Sequence, residues 1–247
     1  MRKKNLLFIP FILIIGIGLY SCMGETNNTI TFGDTPAVVC QDILESGGTT
    51  IGVAGTYLAA PSLTDVHEGE CLLLNSLTID YDNQPSDKYV TATNIVKETV
   101  EQKTLEQATS LELKDYTLPI STVSGNVNPY YQGRIFIWAS CKDKNPDFRF
   151  IYKFEEDESN HIKDLYLLAK PSSSSPNSSD VTSLHAFNLS NFIFSVGRDT
   201  TIVDTNTMDE YNFKYIKANL KYLSGISEEG EPEYKSIASS FEMYVFN

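Results

Sequence analysis

Residue types that carry chemistry are thinly spread along this 247-residue chain. Its three histidines, His67, His161 and His185, lie on separate segments with no acidic or cysteine neighbour at ligand spacing, so each reads as a surface or loop residue. Serine is abundant, yet neither a Gly-x-Ser-x-Gly elbow nor a Ser-x-x-Lys pair occurs. Asp80, Asp82, Asn83 and Asp87 crowd together as the oxygen ligands of a calcium loop would. They lack the central glycine and final glutamate of an EF-hand, and a solvated hairpin turn capped by Pro85 is the better reading. The run Glu155-Glu156-Asp157-Glu158 reads as a charged turn at a strand end, not as the spaced carboxylate pair of a glycosidase. No catalytic set, metal site or cofactor is expected. Tyr130 and Tyr131, in the loop Pro129-Tyr130-Tyr131-Gln132-Gly133, are the candidates for ligand binding, because exposed rings stack on sugar faces and other flat ligands. Trp138, inside an apolar run, reads as core.

The cysteines say more about address than about chemistry. Met1-Arg2-Lys3-Lys4 precedes an apolar run from Leu6 to Leu19, which ends at Tyr20-Ser21-Cys22. Basic, apolar, small, cysteine is the order of a lipoprotein signal peptide, and the run stops short of the roughly 20 apolar residues of a membrane span. Residues 1–21 are therefore expected to be removed and Cys22 lipidated, on an outer membrane facing the periplasm or the cell surface. An uncleaved helical anchor is the alternative and would leave the same body on the same side. Loss of Arg2, Lys3 and Lys4 takes the net charge from −13 to −16. So acidic a body is repelled by nucleic acid and by anionic headgroups, which leaves anchoring to the lipid. Of the other cysteines, Cys40, Cys71 and Cys141, an odd number in a compartment that permits disulfides, Cys40 and Cys71 can be either core thiols or a bridge.

Turn chemistry divides the mature chain. Residues 22–32 are polar and read as a tether. Apolar segments at Ala37–Ile43, Thr50–Ala60, Cys71–Tyr81 and Tyr89–Thr99 suggest a small OB-like barrel over residues 33–103. Residues 104–119 read as a linker with some local structure. Residues 120–247 read as a β-sandwich, with strands expected at Arg134–Cys141, across the alternating Phe148 to Glu155, and at Lys163–Lys170, Leu184–Val196, Thr200–Val203, Tyr211–Leu223 and Ile237–Phe246. Phe213, Ile216, Leu220 and Leu223 also fit a helical stripe. Pro171–Ser179 and Glu228–Glu233 read as hairpin connections, or as contact loops for a partner. The fold class is all-β.

Three segments resemble the NigD-like lipoproteins of Bacteroidetes: Gly33-Asp34-Thr35-Pro36-Ala37-Val38-Val39; Gly69 to Asn75 with Tyr89 and Asn94-Ile95; and Leu184 to Ser190. Val53-Ala54-Gly55-Thr56-Tyr57 stands where that family has a glycine-rich, aspartate-containing hairpin. The resemblance implies a lipobox cysteine, an OB-like barrel and a C-terminal β-sandwich. It also implies a bacteriocin-immunity role, suggested by the founding member's neighbourhood, and supplies no catalytic residues. The expectation is a non-enzymatic, lipid-anchored binding protein. Bacteriocin immunity, glycan binding and glycan hydrolysis are the alternatives.

Overall fold

The computed structural model describes residues 28–40, 44, 46–108, 116–124, 131–143, 145–153, 162–172, 179–203 and 210–246. The described chain is all-β apart from one short helix and one 3-10 turn. The first sheet contains β1 (Thr29–Phe32), β2 (Thr35–Cys40), β3 (Thr50–Val53), β4 (Thr56–Ala59), β5 (Cys71–Asp80) and β6 (Thr93–Thr99). β1 and β2 share one register along β5, from Thr29 opposite Asp80 to Val38 opposite Cys71. They are in effect one strand kinked at Gly33-Asp34, where Asp34 takes a φ of 46°. β3 and β4 are joined by Ala54-Gly55, with φ of 48° and 85°, the pair of left-handed residues that a two-residue hairpin turn requires. The sheet then curls until β4 meets the residues before β6. Ala59 N–H donates to Val90 O at 2.9 Å, and Ala92 N–H donates to Ala59 O at 2.8 Å. This closes a small barrel, as expected, around Val39, Ile51, Leu72, Leu74 and Ile79.

Two further sheets follow. The second, in the order β7-β13-β10-β9, contains β7 (Gln102–Thr104), β9 (Ile120–Ser124), β10 (Arg134–Cys141) and β13 (Val181–Asn188). The third runs β14-β15-β12-β11-β8, with β16 also on β15; it contains β8 (Glu106–Ala108), β11 (Asp147–Lys153), β12 (Ile162–Lys170), β14 (Arg198–Val203), β15 (Glu210–Ile226) and β16 (Pro232–Phe246). Their facing sides enclose Ile135, Ile137, Phe148, Phe150, Leu165, Leu167 and Phe187. The period-two pattern of β11 sends Phe148 and Phe150 into that core, and fully burying one such ring contributes about 1.5–3 kcal/mol. β10 is covered on both faces, as expected: Ile135 and Ile137 enter the sandwich core while Phe136 packs against the barrel.

Four local readings differ. Residues 29–32, expected in the tether, form β1, because their alternation extends the β2 register along β5. Within 104–119, Glu106–Ala108 form β8 in parallel register with β11, and Leu105 and Leu118 pack on the sandwich core; residues 109–115 lie outside the described ones. Leu184–Val196 is not one strand. β13 ends at Asn188, and helix α1 spans Ser190–Val196. The Asn188 carboxamide oxygen accepts from Ser190 N–H at 3.0 Å and from its hydroxyl at 2.6 Å, a turn that stops the strand, and Leu189, Phe192 and Ile193 then share one buried helical face. Pro171–Ser179 is not a hairpin connection either, since β12 before it and β13 after it belong to different sheets. Glu228–Glu233 does lie at a hairpin, where Ser227 N–H donates to Glu231 O at 2.8 Å, although Pro232 and Glu233 already belong to β16.

Candidate functional site

Cys22, Tyr130 and His161 lie outside the described residues. Tyr131 opens the 3-10 turn Tyr131–Gly133 that leads into β10. The cluster at Asp80 is built as a turn. Its carboxylate accepts from the backbone N–H of Asp82 and Asn83, at 3.0 and 3.2 Å, and from the Asn83 carboxamide at 2.8 Å. The Asn83 side chain leads the contacts that hold this carboxyl below its ordinary value. Asp82 is bonded instead to Asn28. Among the described residues, no three His, Cys, Asp or Glu side chains converge as metal ligands.

Cys40 and Cys71 sit where the barrel meets the second sheet. With Val38 they pack against Phe136 and Ala186. Both are free thiols, and Cys71 lies opposite Val38, two positions from Cys40. Burial pushes each up to about 12, so they remain protonated and poorly nucleophilic. A turn at the same junction joins the two bodies. Glu70 N–H donates to His67 O at 3.0 Å across a turn whose third residue, Gly69, has a φ of 79°. Gly69 then forms a bulge: its N–H reaches Val39 O at 2.7 Å, while Val39 N–H reaches Glu70 O at 2.9 Å. The Gly69 carbonyl accepts from Arg134 Nε at 3.1 Å and from Gln102 Nε2 at 2.8 Å, both on elements of the second sheet. A Cβ on Gly69 would lie 2.4 Å from Arg134 Nη2. Gly69→Ala should therefore cost about 1–2 kcal/mol, the price of a left-handed alanine, together with displacement of a movable guanidinium. Urea melts of the two proteins measure it, and superimposable curves would contradict this account.

The seam between the second and third sheets holds the other polar cluster. Ser183 Oγ and His185 Nε2 lie 2.7 Å apart on β13, and the imidazole packs 4.3 Å from the Phe148 ring. A serine hydroxyl bonded to a histidine is the beginning of a nucleophile and base pair. Here burial, and secondarily the charge of Lys103, depress the imidazole to about 4, whereas a base working near neutrality needs a higher value. The nearby acids serve cations. Asp147 binds Lys103 at 3.0 Å and Arg149 at 2.9 Å, and Glu106 pairs with Arg149. Burial raises the Asp147 carboxyl, but hydrogen bonds from Lys103 and Arg149 outweigh it and hold the group below its usual value.

The outward face of the third sheet, which the sequence reading missed, combines aromatics with paired charges. Register places Tyr215 opposite Tyr244 and Lys217 opposite Glu242. The two tyrosine rings are 5.0 Å apart at 32°, with Phe213 6.2 Å from Tyr244. Lys217 reaches Glu242 at 2.9 Å, and the same carboxylate accepts from the hydroxyls of Tyr215 and Tyr244, each at 3.2 Å. The Lys217 contact is the largest of those holding Glu242 below the ordinary glutamate value. Farther along β15, Asp164 accepts from Lys221 at 2.5 Å and Asn219 at 2.8 Å; Tyr166 packs edge-on against Tyr234 at 4.8 Å. The signal for this face was the odd-numbered spacing of Phe213, Tyr215 and Lys217, but its partner strand lies far away in sequence.

No protein-family model matches the chain, and no curated protein matches it significantly. Among solved structures, it is similar to an uncharacterised protein from Parabacteroides merdae, with 14% identity over 88% of this chain and 100% of that one and a TM-score of 0.54. It is also similar to a DUF1344 protein of unknown function from Bacteroides vulgatus, with 10% identity over 85% and 90% of the two chains and a TM-score of 0.49. A NigD-like immunity protein from Bacteroides caccae aligns with 12% identity over 89% and 98%, at a TM-score of 0.45. The first likeness shows a shared fold.

Proposed function

We propose that this chain is a non-enzymatic binding protein of the cell envelope, held on the outer membrane by a lipid on Cys22 and facing the periplasm or the cell surface. The observation that carries this reading is the order Arg2-Lys3-Lys4, apolar Leu6 to Leu19, then Tyr20-Ser21-Cys22, ahead of a polar stretch and an all-β body. The neutral His185 and the protonated thiols of Cys40 and Cys71 favour binding over catalysis. Cys22→Ser is the test. The variant should leave the membrane fraction or accumulate as an unprocessed precursor of lower mobility. Fractionation and migration identical to the parent chain would overturn the proposal.

The resemblance of Gly33–Val39, Gly69–Asn75 and Leu184–Ser190 to the NigD-like lipoproteins makes a bacteriocin the protein ligand to seek first. A pull-down of the intact lipoprotein from envelope fractions challenged with producer-strain bacteriocin tests that narrower reading. Specific retention of the toxin supports immunity, and its absence counts against it.

A further inference from the structure

We propose that the outward face of the third sheet, from the Tyr215 and Tyr244 pair along β15 to Tyr234, is a binding track for a neutral oligosaccharide. The inference deepens the binding role proposed above and rests on it. Tyr244 is 37% exposed, although its ring stands against Tyr215 and beside Phe213. Aromatic surface left in water gains when another apolar face covers it, and the C–H face of a pyranose ring is such a surface.

Charge decides the class of ligand. The chain carries a net charge of −13, yet along this track the charges are matched across strands, Lys217 with Glu242 and Lys221 with Asp164. Arg198 on β14 lies opposite Tyr215 and adds a cation at that end. Along the track, however, an anionic ligand would compete with Glu242 and Asp164 for Lys217 and Lys221, and a cationic one would have to break the same pairs. Hydroxyl groups fit better. A carboxylate has about four lone-pair sites and an ammonium three donors, so each paired group retains capacity to bond a hydroxyl. Between the two aromatic ends lie these two ion pairs and Asn219, which bonds Asp164. From Tyr215 to Leu223, which is buried beneath its partner Tyr234, the track spans about 26 Å at ~3.3 Å per residue, so its far end is the outer side of the Tyr234 ring. That length suits an extended chain of sugars and exceeds a single ring. Cross-strand ladders also stabilise sheets by themselves, so the test must separate binding from folding.

The full chain in detergent micelles is titrated calorimetrically with cellohexaose, xylohexaose, mannohexaose and maltohexaose, and with a hexagalacturonate. At least one neutral hexaose should bind, more tightly than the acidic one. Tyr244→Ala should weaken that binding at least about tenfold, while Tyr244→Phe, which keeps the ring, should retain most of it. If Tyr244→Ala does not fold, Glu242→Gln replaces it and should show a comparable loss. Failure of all four neutral sugars, preference for the hexagalacturonate, or binding indifferent to a folded Tyr244→Ala or Glu242→Gln would overturn the inference. Its failure is distinct from that of the envelope role: Cys22→Ser fractionation reads the anchor alone, and a specific protein ligand without sugar binding would leave the binding role standing.

Discussion

Gly133→Ala should destabilise the protein by about 2–5 kcal/mol, an effect large enough to lower the melting temperature by several degrees. Two costs add at this position. Gly133 has a φ of 70° and follows Gln132 at 56°, so the chain turns through two left-handed residues before entering β10. Alanine in that conformation costs about 1–2 kcal/mol. The added methyl would also lie 2.8 Å from Ile193 Cδ1, 3.1 Å from Val245 Cγ2 and 3.5 Å from the Ser190 nitrogen. Ile193 and Val245 belong to the sandwich core, where overpacking costs about 1–3 kcal/mol more. The site cannot simply shift, since Leu189 N–H donates to Gly133 O at 3.0 Å and ties the turn to the start of α1. Chemical denaturation measures the total, and Ile193→Val separates the parts. Removing Cδ1 costs about 0.5–1.5 kcal/mol in the parent background but should cost less when combined with Gly133→Ala, because it opens the space the new methyl needs. Additive losses would show that backbone strain alone is responsible, and an unchanged Gly133→Ala melt would contradict both terms.

Which parts of this molecule were legible in the sequence depended on whether a pattern was local. The alternation of Phe148, Phe150 and Tyr152 announced β11, and the Gly-rich and Asx-rich breaks marked most turns. The sequence predicts a strand over Tyr211 to Leu223 although Phe213, Ile216, Leu220 and Leu223 also fit a helical stripe, and pairing with β12, β14 and β16 bears the strand out. β7 and β8, at three residues each, are too short for any period to appear, and they exist because neighbouring strands offer an edge. Helix α1 escaped notice for the same reason: seven residues give one buried face and no repeat. Candidate sites obeyed the same rule. Tyr130 and Tyr131 stood out because they are adjacent in sequence. Tyr215 and Tyr244 did not, since their proximity is a property of register between two long strands, set by the side chains on the opposite face. By sequence His185 reads as a surface or loop residue, but it lies within β13 beside Ser183, and the burial that makes its imidazole a poor base comes from strands distant in sequence.

That burial gives the second large effect, a loss of stability on mild acidification. An unfolded histidine titrates near 6.5, whereas His185 in the native protein titrates at about 4, chiefly through burial and then through the charge of Lys103. Between these values the unfolded chain holds a proton that the native chain refuses, so stability rises with pH through the window. The contribution is fully present above about pH 6.5 and is lost as pH falls toward 4. The shift corresponds to about 2–3 kcal/mol, allowing for the part of the ring that solvent reaches. Protonation would place a second cation beside Lys103, against the Phe148 ring, at the seam where β7 and β8 divide between the two sheets. His185→Phe is the comparison, because it keeps an aromatic ring against Phe148 and removes the titration, while giving up the Ser183 hydrogen bond. Between about pH 7 and pH 4 the parent chain should lose about 2–3 kcal/mol more than the variant, read from denaturant midpoints at each pH. The carboxylates held low by cations, Asp147, Asp164 and Glu242, are present in both proteins and lose their contributions as pH falls through their lowered values, so they cancel in the difference. Parallel curves across that range would mean that water reaches the seam and that His185 is hydrated in the native fold.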